Sequence, residues 1–539
     1  MHFSSRSRLI PGLLALASTS AAQTVNIANG TIQGGKCNRT DSYYFSSIPY
    51  ALPPVDDLRF KAPQPHVQAY NGTLDATVAP ASCIQFSTLF AESNTQSEDC
   101  LYLNIWTPST ATRDSKLPVK VWLYGGGNEA GGVSDPTYDG CYATSDSIIV
   151  SINYRVGPLG FLALESLGLN GNFGLQDQLL GLEWIQENIE SFGGDPTKVL
   201  LFGQSAGAID VYVISTLPQA TELISSVALE SGGGRDPPTV NKAQQWQQHF
   251  LDQLNCTTPD LDCVLAASTS ELVVAEAAMP DEQAPGATTP FTAEGARANW
   301  GPLVDGNILP ETPTAVGNKV PAIFGFNSEE GTLFVFGDYQ EESLSLTQAD
   351  YDVFLEYNFG PLASVVNQTY SVSKFNSTIA PVFAAMSTVL GEVSYKCPAH
   401  RALLKSREIG VPVWSYEFSH TPSCAWYGAI PESILEYVGA THTAEIPFVF
   451  NTTHNMPLPD GNCTFTNAEQ ALSASMSEAW TSMAEFGRPA DETVWPQWTR
   501  NTSAGVNIDE SMVVGTVDYT SCLFWDAIYE KSVEIANAS

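Results

Sequence analysis

The stretch VLLFGQSAGAIDVYVI, residues 199–214, decides the fold because it places Ser205 between two contrasting segments. VLLF predicts a short buried strand, and AGAIDVYVI predicts a helix. Gly203 and Gly207 flank the serine at the spacing of a sharp strand-to-helix turn that exposes a hydroxyl. The five-residue pattern alone is weak, but a surface turn serine has no reason to lie between a buried strand and a helix start. The order of these elements therefore favours Ser205 as a nucleophile.

Neighbouring segments continue the same alternation of strands and helices. A strand is predicted in KLPVKVWLYGGG (116–127), in SIIVSINYR (147–155), in VALESGG (227–233) and in PAIFGFN (321–327). Residues 173–196 carry apolar side chains on one helix face until Gly193 and Gly194 stop the helix and Asp195 with Pro196 turn the chain. Strands this apolar predict an α/β fold with a central, mostly parallel sheet flanked by helices on both faces. Active sites in such sheets lie at the carboxyl ends of strands.

The first 22 residues have the features of a secretory signal peptide. Arg6 and Arg8 precede a short apolar run and small residues ending at Ala22, after which we expect cleavage. The apolar run is shorter than the ~20 residues that span a bilayer, which disfavours a membrane anchor. No repeat or linker-like tract divides the rest, so residues 23–539 are predicted to form a single domain. The tract MPDEQAPGATTPFTAEG (279–295) is predicted to be a surface loop, with a place at the rim of the active site as the alternative.

The charge balance restricts the partners. The chain has 58 Asp and Glu against 23 Lys and Arg, a formal net charge of −35. Such an acidic protein is a poor partner for nucleic acid or anionic membrane surfaces. Together with the signal peptide, the acidity favours a secreted, extracellular protein without stable membrane insertion.

Cysteines and glycosylation motifs agree with secretion. All 10 cysteines follow the signal peptide, and an even number in an oxidising compartment predicts disulfides. No CxxC or HExxH motif is present, so no metal site is predicted. N-x-S/T motifs predict a glycoprotein whose modified asparagines lie in surface loops. The candidate asparagines are Asn29, Asn38, Asn71, Asn255, Asn367, Asn376, Asn451, Asn462, Asn501 and Asn537.

A serine nucleophile needs a base, and the base needs a third group to hold it. If the three follow in the order Ser, acid, His, the residues leave five candidate bases: His249, His400, His420, His442 and His454. His442 lies in a glycine-flanked loop, which suits a side chain aimed into a site. Glu329 and Glu330 follow an apolar strand and are the candidate acids. The residues alone choose neither the base nor the acid.

Six motifs, read together, resemble the type-B carboxylesterase and lipase family of α/β-hydrolases, which includes cholinesterases and secreted fungal lipases. They are SEDCLYLNIWTP (97–108), VWLYGGG (121–127), YRVGPLGFL (154–162), residues 173–208, GFNSEEG (325–331) and GATHTAEIPFVF (439–450). The resemblance implies Ser205 as nucleophile, Glu330 as acid and His442 as base. It implies an oxyanion hole formed by the backbone amides of Gly126, Gly127 and Ala206.

The resemblance also implies two disulfides, Cys83–Cys100 and Cys256–Cys263. The other six cysteines can pair in many ways. For these, a Cys397–Cys424 bond is only a guess.

The function implied is that of a secreted serine carboxylic ester hydrolase that works through an acyl-enzyme, without metal or cofactor, on a small-molecule or lipid ester. A triacylglycerol lipase or sterol esterase of the same family is the alternative. The choice between the two depends on whether the apolar half of the loop between Cys83 and Cys100 forms a lid. That half contains Ile84, Phe86, Leu89 and Phe90. A catalytically inactive, neuroligin-like binding protein is disfavoured because all three triad residue types are present. Oligomeric state is not predicted.

Three departures from the family pattern concern substrate and pH. Asn128 follows the three glycines where the family usually has an aromatic residue, which leaves the shape of the acyl pocket open. The loop between Cys83 and Cys100 lacks a Trp for a choline cation, although Phe86 and Phe90 offer a weaker cation–π face. Gln204 replaces the usual Glu. A carboxylate there would stabilise the imidazolium of His442, so glutamine is expected either to let the base work at lower pH or to have no kinetic effect.

Overall fold

The computed structural model describes residues 23–538 except 89, 257–259, 280–299, 377, 379 and 429. The predicted signal peptide, Leu89 and nearly all of the predicted loop at 279–295 therefore lie outside the described residues. The strands are β1 Thr24–Ile27, β2 Gly30–Gln33, β3 Gly35–Lys36, β4 Ser42–Pro49, β5 Thr73–Asp75, β6 Tyr102–Pro108, β7 Leu117–Leu123, β8 Ile148–Ile152, β9 Ala163–Leu164, β10 Leu169–Asn170, β11 Gly194–Gln204, β12 Ser226–Glu230, β13 Ala322–Asn327, β14 Val413–Phe418, β15 His454–Met456, β16 Cys463–Thr464, β17 Ala504–Ile508 and β18 Met512–Thr516.

Helices separate most of these strands. They are α1 Gly157–Phe161, α2 Phe173–Asn188, α3 Ala206–Thr216, α4 Ala220–Leu223, α5 Val240–Gln253, α6 Leu261–Ala266, α7 Thr269–Ala277, α8 Pro313–Val316, α9 Thr332–Tyr339, α10 Gln348–Phe359, α11 Ala363–Thr369, α12 Pro381–Gly391, α13 Cys397–Glu408, α14 Leu435–Val438, α15 Ile446–Val449, α16 Asn467–Phe486 and α17 Cys522–Ala538. A π-helical turn, Glu392–Lys396, joins α12 to α13.

The central sheet has 11 strands in the order β18-β17-β14-β13-β12-β11-β7-β8-β6-β4-β3. Every neighbouring pair from β17 to β8 is parallel. The pairs at the two ends, β17 with β18 and β8 through β6 and β4 to β3, are antiparallel. The predicted mostly parallel sheet is therefore confirmed.

Both faces of the sheet are buried, as the continuous apolar strands predict. In β7, Val121 and Leu123 pack into the core on one face, which also holds side chains of α2, α3 and α13. Trp122, between them, points to the other face and packs in the core that includes α15 and α16. This alternation follows from the period of two of a strand. Helices on both faces are thus confirmed.

One boundary near the key turn differs from the prediction. Strand β11 begins at Gly194, so Asp195 and Pro196 belong to the strand instead of turning the chain before it. The pairing of β11 with β7 is irregular between Gly194 and Val199, which accommodates the proline that cannot donate to the sheet. A short 3-10 turn, Ile189–Phe192, continues α2 and ends as expected at Gly193, whose φ is +96°.

Disulfides pair all ten cysteines. Cys83–Cys100 and Cys256–Cys263 are confirmed. The guess of Cys397–Cys424 is wrong. The three remaining bonds are Cys37–Cys141, Cys397–Cys522 and Cys424–Cys463. Cys397 and Cys522 each begin a helix, α13 and α17, and these helices pack together, which brings the two thiols into contact.

The candidate glycosylation asparagines are not all in exposed loops. Asn29 is half-buried, and its amide nitrogen donates to the carbonyls of His66 and Gln68. Asn451 is half-buried as well, and Asn367 lies within α11. The exposed ones outside helices and strands are Asn38, Asn71, Asn255, Asn376, Asn462 and Asn501. Among the described helices, none is long and apolar enough to cross a membrane.

Candidate active site

Ser205 occupies a strained turn between β11 and α3. Its φ of +57° and ψ of −126° lie outside the regions that ordinary residues prefer. The turn is possible because Gly207 packs against the end of β7, where an added Cβ would lie 2.1 Å from the Leu123 carbonyl oxygen. The Ser205 N–H donates to the carbonyl oxygen of Glu230 on the neighbouring strand at 2.9 Å. These contacts fix the backbone and leave the hydroxyl at the sheet edge.

Glu330 and His442 form a buried pair beside this turn. Nδ1 of His442 lies 2.6 Å from Oε2 of Glu330, and both side chains are at most 1% exposed. Oε1 of Glu330 accepts the N–H of Asn327 at 2.8 Å. The acid follows β13, whereas the histidine lies in the loop between α14 and α15. Glu329, the other candidate acid, is exposed and accepts the N–H of Ala440 instead.

The loop that carries His442 is itself constrained. Thr443, the next residue, has a φ of +77°, which is unfavourable for a β-branched side chain. Its hydroxyl accepts Nε1–H of Trp426 at 2.9 Å, and this bond helps to hold the loop. Backbone strain that is maintained by such contacts is typical of functional sites.

The other four histidines have different surroundings. Nε2 of His420 pairs with Glu469 at 3.1 Å, and the ring of His400 stacks on Tyr519. His249 lies near the carboxylate of Asp252, and His454 contacts the hydroxyl of Thr453. Unlike His442, none of them lines the cavity that contains Ser205.

That cavity is small, about 50 Å³, and is lined in part by aromatic side chains. Residues that line it include Phe90, Tyr138, Gln204, Ser205, Trp426, Tyr427, His442 and Ile446. The aromatic residues Tyr138, Trp426 and Tyr427 were not found by sequence reasoning, because they come from loops without periodicity. The neighbouring Trp426 and Tyr427, shortly after Cys424, were the sequence feature that could have indicated an aromatic cavity wall.

The glycines of the loop after β7 lie against the nucleophile turn. A Cβ added to Gly125 would come 3.0 Å from the Cβ of Ser205. Gly126 and Gly127 have φ values of +110° and +67°, which glycine adopts without strain. Within the described part of the chain, the N–H groups of Gly126, Gly127 and Ala206 have no hydrogen-bond acceptor. Of these, Gly126 lines the cavity together with Ser205, and Ala206 directly follows the serine, so both backbone donors lie beside the nucleophile.

Neither Asn128 nor Phe86 lines the cavity. Asn128 is 4% exposed, and its Nδ2 donates to Asp210 of α3 at 3.2 Å. Phe86 is buried against Gly157, where an added Cβ would lie 2.2 Å from its ring. Phe90 does line the cavity, and its ring centroid lies 6.4 Å from that of His442. Asn128 therefore forms no part of the wall of the described cavity.

Gln204 lies directly beside the imidazole. Its Nε2 is 3.2 Å from Nε2 and 3.4 Å from Nδ1 of His442. Because the two distances are similar, the amide does not pair with a single ring nitrogen. Its position confirms that residue 204 contacts the candidate base, while its kinetic role stays a prediction.

Two further glutamates are buried behind the pair. Burial, followed by the charge of Glu330, raises the pKa of Glu445 to about 8. Burial and the neighbouring Glu445 raise the pKa of Glu230 well above its usual range, although Nε1–H of Trp480 donates to it at 2.7 Å. Both shifts favour the neutral, protonated form of these side chains. Among the described residues, no group of three or more His, Cys, Asp or Glu side chains is placed to hold a metal ion.

The sequence of the chain matches a known protein family. The family model described as "Carboxylesterase family" matches residues 21–525. The chain belongs to the carboxylesterase family. It is 32% identical to para-nitrobenzyl esterase of Bacillus subtilis, over 90% of this chain and 95% of that protein. It is 31% identical to cholinesterase of Mus musculus, over 91% of this chain and 84% of that protein, and 29% identical to acetylcholinesterase of Bungarus fasciatus, over 97% and 89%.

Membership confirms the resemblance drawn from the six motifs, and with it the α/β-hydrolase fold. The relatives of this carboxylesterase family member include esterases. The predicted enzyme class, carboxylic ester hydrolase, is therefore confirmed.

Proposed function

We propose that this chain is a secreted serine carboxylic ester hydrolase that forms an acyl-enzyme on Ser205. The observation that carries the proposal is the buried contact of 2.6 Å between His442 and Glu330, next to a serine held in a strained turn. A carboxylate bound at Nδ1 favours the tautomer that carries its proton on Nδ1, so that Nε2 is the ring nitrogen that can accept a proton.

The reaction begins when Oγ of Ser205 attacks the ester carbonyl carbon and its proton passes to Nε2 of His442. Negative charge develops on the carbonyl oxygen, where the N–H groups of Gly126, Gly127 and Ala206 stabilise it. The carbon–oxygen bond to the alcohol then breaks, and the imidazolium gives its proton to the leaving alkoxide. Water repeats the sequence on the acyl-enzyme and releases the acid. No metal or cofactor takes part.

The test compares Ser205→Ala with the wild type on a short-chain p-nitrophenyl ester. We expect the variant to lose at least about 10³-fold in kcat, because the nucleophile is absent. Ser215→Ala is the matched control, since this serine lies in α3 and its hydroxyl donates to the Tyr212 carbonyl. Retained hydrolysis in Ser205→Ala would overturn the proposal. Labelling of Ser205 by a fluorophosphonate, read by mass spectrometry, tests the nucleophile directly.

A soluble ester is the proposed substrate, in preference to the lipase or sterol esterase alternative. In the loop between Cys83 and Cys100, Ile84 and Phe86 are at most 7% exposed and pack in the core. These two side chains therefore offer no apolar lid surface to a lipid phase. Rates for a series of acyl chain lengths, with and without emulsified substrate, distinguish the alternatives. Activation at the interface would favour the lipase.

A further inference from the structure

A second cavity, here called the α12 cavity, is separate from the one that contains Ser205. It has a volume of about 430 Å³, within the range of sites for small organic molecules, and lies between the end of β13 and α12. The two cavities share no lining residue. Leu344 and Tyr437, which line the α12 cavity, are each 39% exposed, so it is open to solvent on their side.

Two buried polar atoms in the wall of this cavity lack a partner. Asn327 and Ser387 line it and are 1% and 5% exposed. Among the described residues, Oδ1 of Asn327 and Oγ of Ser387 have no hydrogen-bond partner. The amide nitrogen of Asn327 is already used, because it donates to the Thr441 carbonyl at 2.8 Å. Buried polar groups are almost always hydrogen-bonded, so these two oxygens are left for the donors of a bound molecule.

The charge of the wall is predominantly negative. One ammonium, that of Lys396, lines the cavity, and it lies 3.8 Å from a carboxylate oxygen of Glu392. Burial raises the pKa of Glu417, although the charge of Lys396 opposes this. The ionised form of Glu417 is therefore incompletely compensated, and a cation beside it would stabilise that form. The carboxylates that line the cavity are those of Glu329, Glu392, Glu417 and Glu436.

We propose that the α12 cavity binds a small molecule that carries a primary ammonium group on an apolar body. The three N–H donors of such a cation match the free oxygens of Asn327 and Ser387 and a carboxylate. Its body would pack against Phe326 and Phe383, which form part of the wall. A quaternary ammonium has the charge but no donor, and an anion would be repelled by the carboxylates.

The experiment is calorimetric titration of the full-length secreted protein with phenylbutylammonium at about pH 7, where the amine is charged. We expect a dissociation constant below about 1 mM. Phenylbutyltrimethylammonium should bind at least about tenfold more weakly, because it cannot donate to the two free oxygens. Phenylbutanoate, with the same body and the opposite charge, should not bind. Equal affinity for the primary and quaternary cations would overturn the proposal, and so would the absence of binding, which would leave a cavity filled only by water.

Variants locate the bound cation. Glu417→Gln should lower the affinity for phenylbutylammonium about tenfold, and Ser387→Ala about threefold. Asp135→Asn is the matched control, because it makes the same kind of change at a carboxylate that lines the cavity of Ser205. Its affinity should equal that of the wild type. If Asp135→Asn weakens binding and Glu417→Gln does not, the cation occupies the cavity of Ser205 and the proposal is overturned.

The titration requires no turnover, so its outcome is independent of the proposed function. Ser205→Ala, the variant that tests the nucleophile, should bind phenylbutylammonium as tightly as the wild type. Failure to bind in a protein that hydrolyses esters would overturn the α12 site alone. Binding in a protein whose Ser205→Ala variant keeps its activity would support the site while the proposed function fails.

Discussion

Replacing Gln204 by Glu tests whether the residue before the nucleophile sets the pH range of the base. The amide nitrogen of Gln204 is 3.2 Å from Nε2 and 3.4 Å from Nδ1 of His442. A carboxylate in this place would put a negative charge about 4 Å from the centre of the imidazolium charge. At an effective dielectric constant near 20, the attraction is about 4 kcal/mol, or about three pH units.

The full shift is an upper limit, since the new carboxylate would also face other acids. Glu330 is bound to His442, and Glu230 pairs with residue 204 across the neighbouring strands. Repulsion from Glu330 keeps the new side chain partly protonated. We therefore expect the acidic limb of the profile of kcat/KM against pH to move upward by about one to three units in Gln204→Glu. The direction follows because a stabilised imidazolium loses its proton only at higher pH.

The assay is kcat/KM for a p-nitrophenyl ester from about pH 4 to about pH 9, which reports the groups of the free enzyme. Gln204→Met is the control, because it has similar length and no charge. Its acidic limb should coincide with that of the wild type. If the limb of Gln204→Glu also stays in place, the electrostatic argument is refuted and glutamine at 204 has no role in setting the pH range.

Two further predictions concern the covalent framework. The double variant Cys397→Ser with Cys522→Ser should lose up to about 5 kcal/mol of the free energy of unfolding, since the bond closes a loop of 125 residues; urea titration measures the loss, and unchanged stability would contradict it. Asn451 should be unglycosylated in the secreted protein because its amide nitrogen donates to the Tyr142 carbonyl at 3.2 Å, whereas exposed Asn501 should carry a glycan. Peptide mapping by mass spectrometry decides, and a glycan on Asn451 would contradict the assignment.

Local sequence was sufficient for the sheet and for the turn at Ser205. Continuous apolar strands, a glycine on each side of the serine and a helix after it are short-range signals, and the structure contains all of these elements. Asp195 and Pro196 were misplaced because proline usually interrupts a strand, whereas here an irregular register accommodates it. The irregularity depends on the neighbouring strand β7 and is not visible in the segment itself.

Partners distant in sequence could not be found from the residues alone. His442 and Glu330 are 112 positions apart, and five histidines and two adjacent glutamates remained possible until the family motifs were compared. The guess of Cys397–Cys424 failed for a similar reason. These cysteines are near in sequence, but the packing of α13 against α17 brings Cys397 to Cys522 instead.

The register between β11 and β12 decides which buried glutamate lies beside residue 204. Gln204 and Glu230 are partners on β11 and β12, so the neutral amide beside His442 has a carboxyl group as its cross-strand neighbour. Burial and the neighbouring Glu445 raise the pKa of Glu230 well above its usual range, which favours the neutral form of this group. A neutral acid exerts little attraction on an imidazolium. Glu230 therefore does not replace the charge that the usual glutamate at 204 would supply, and Glu330 is the acid that bonds directly to the base.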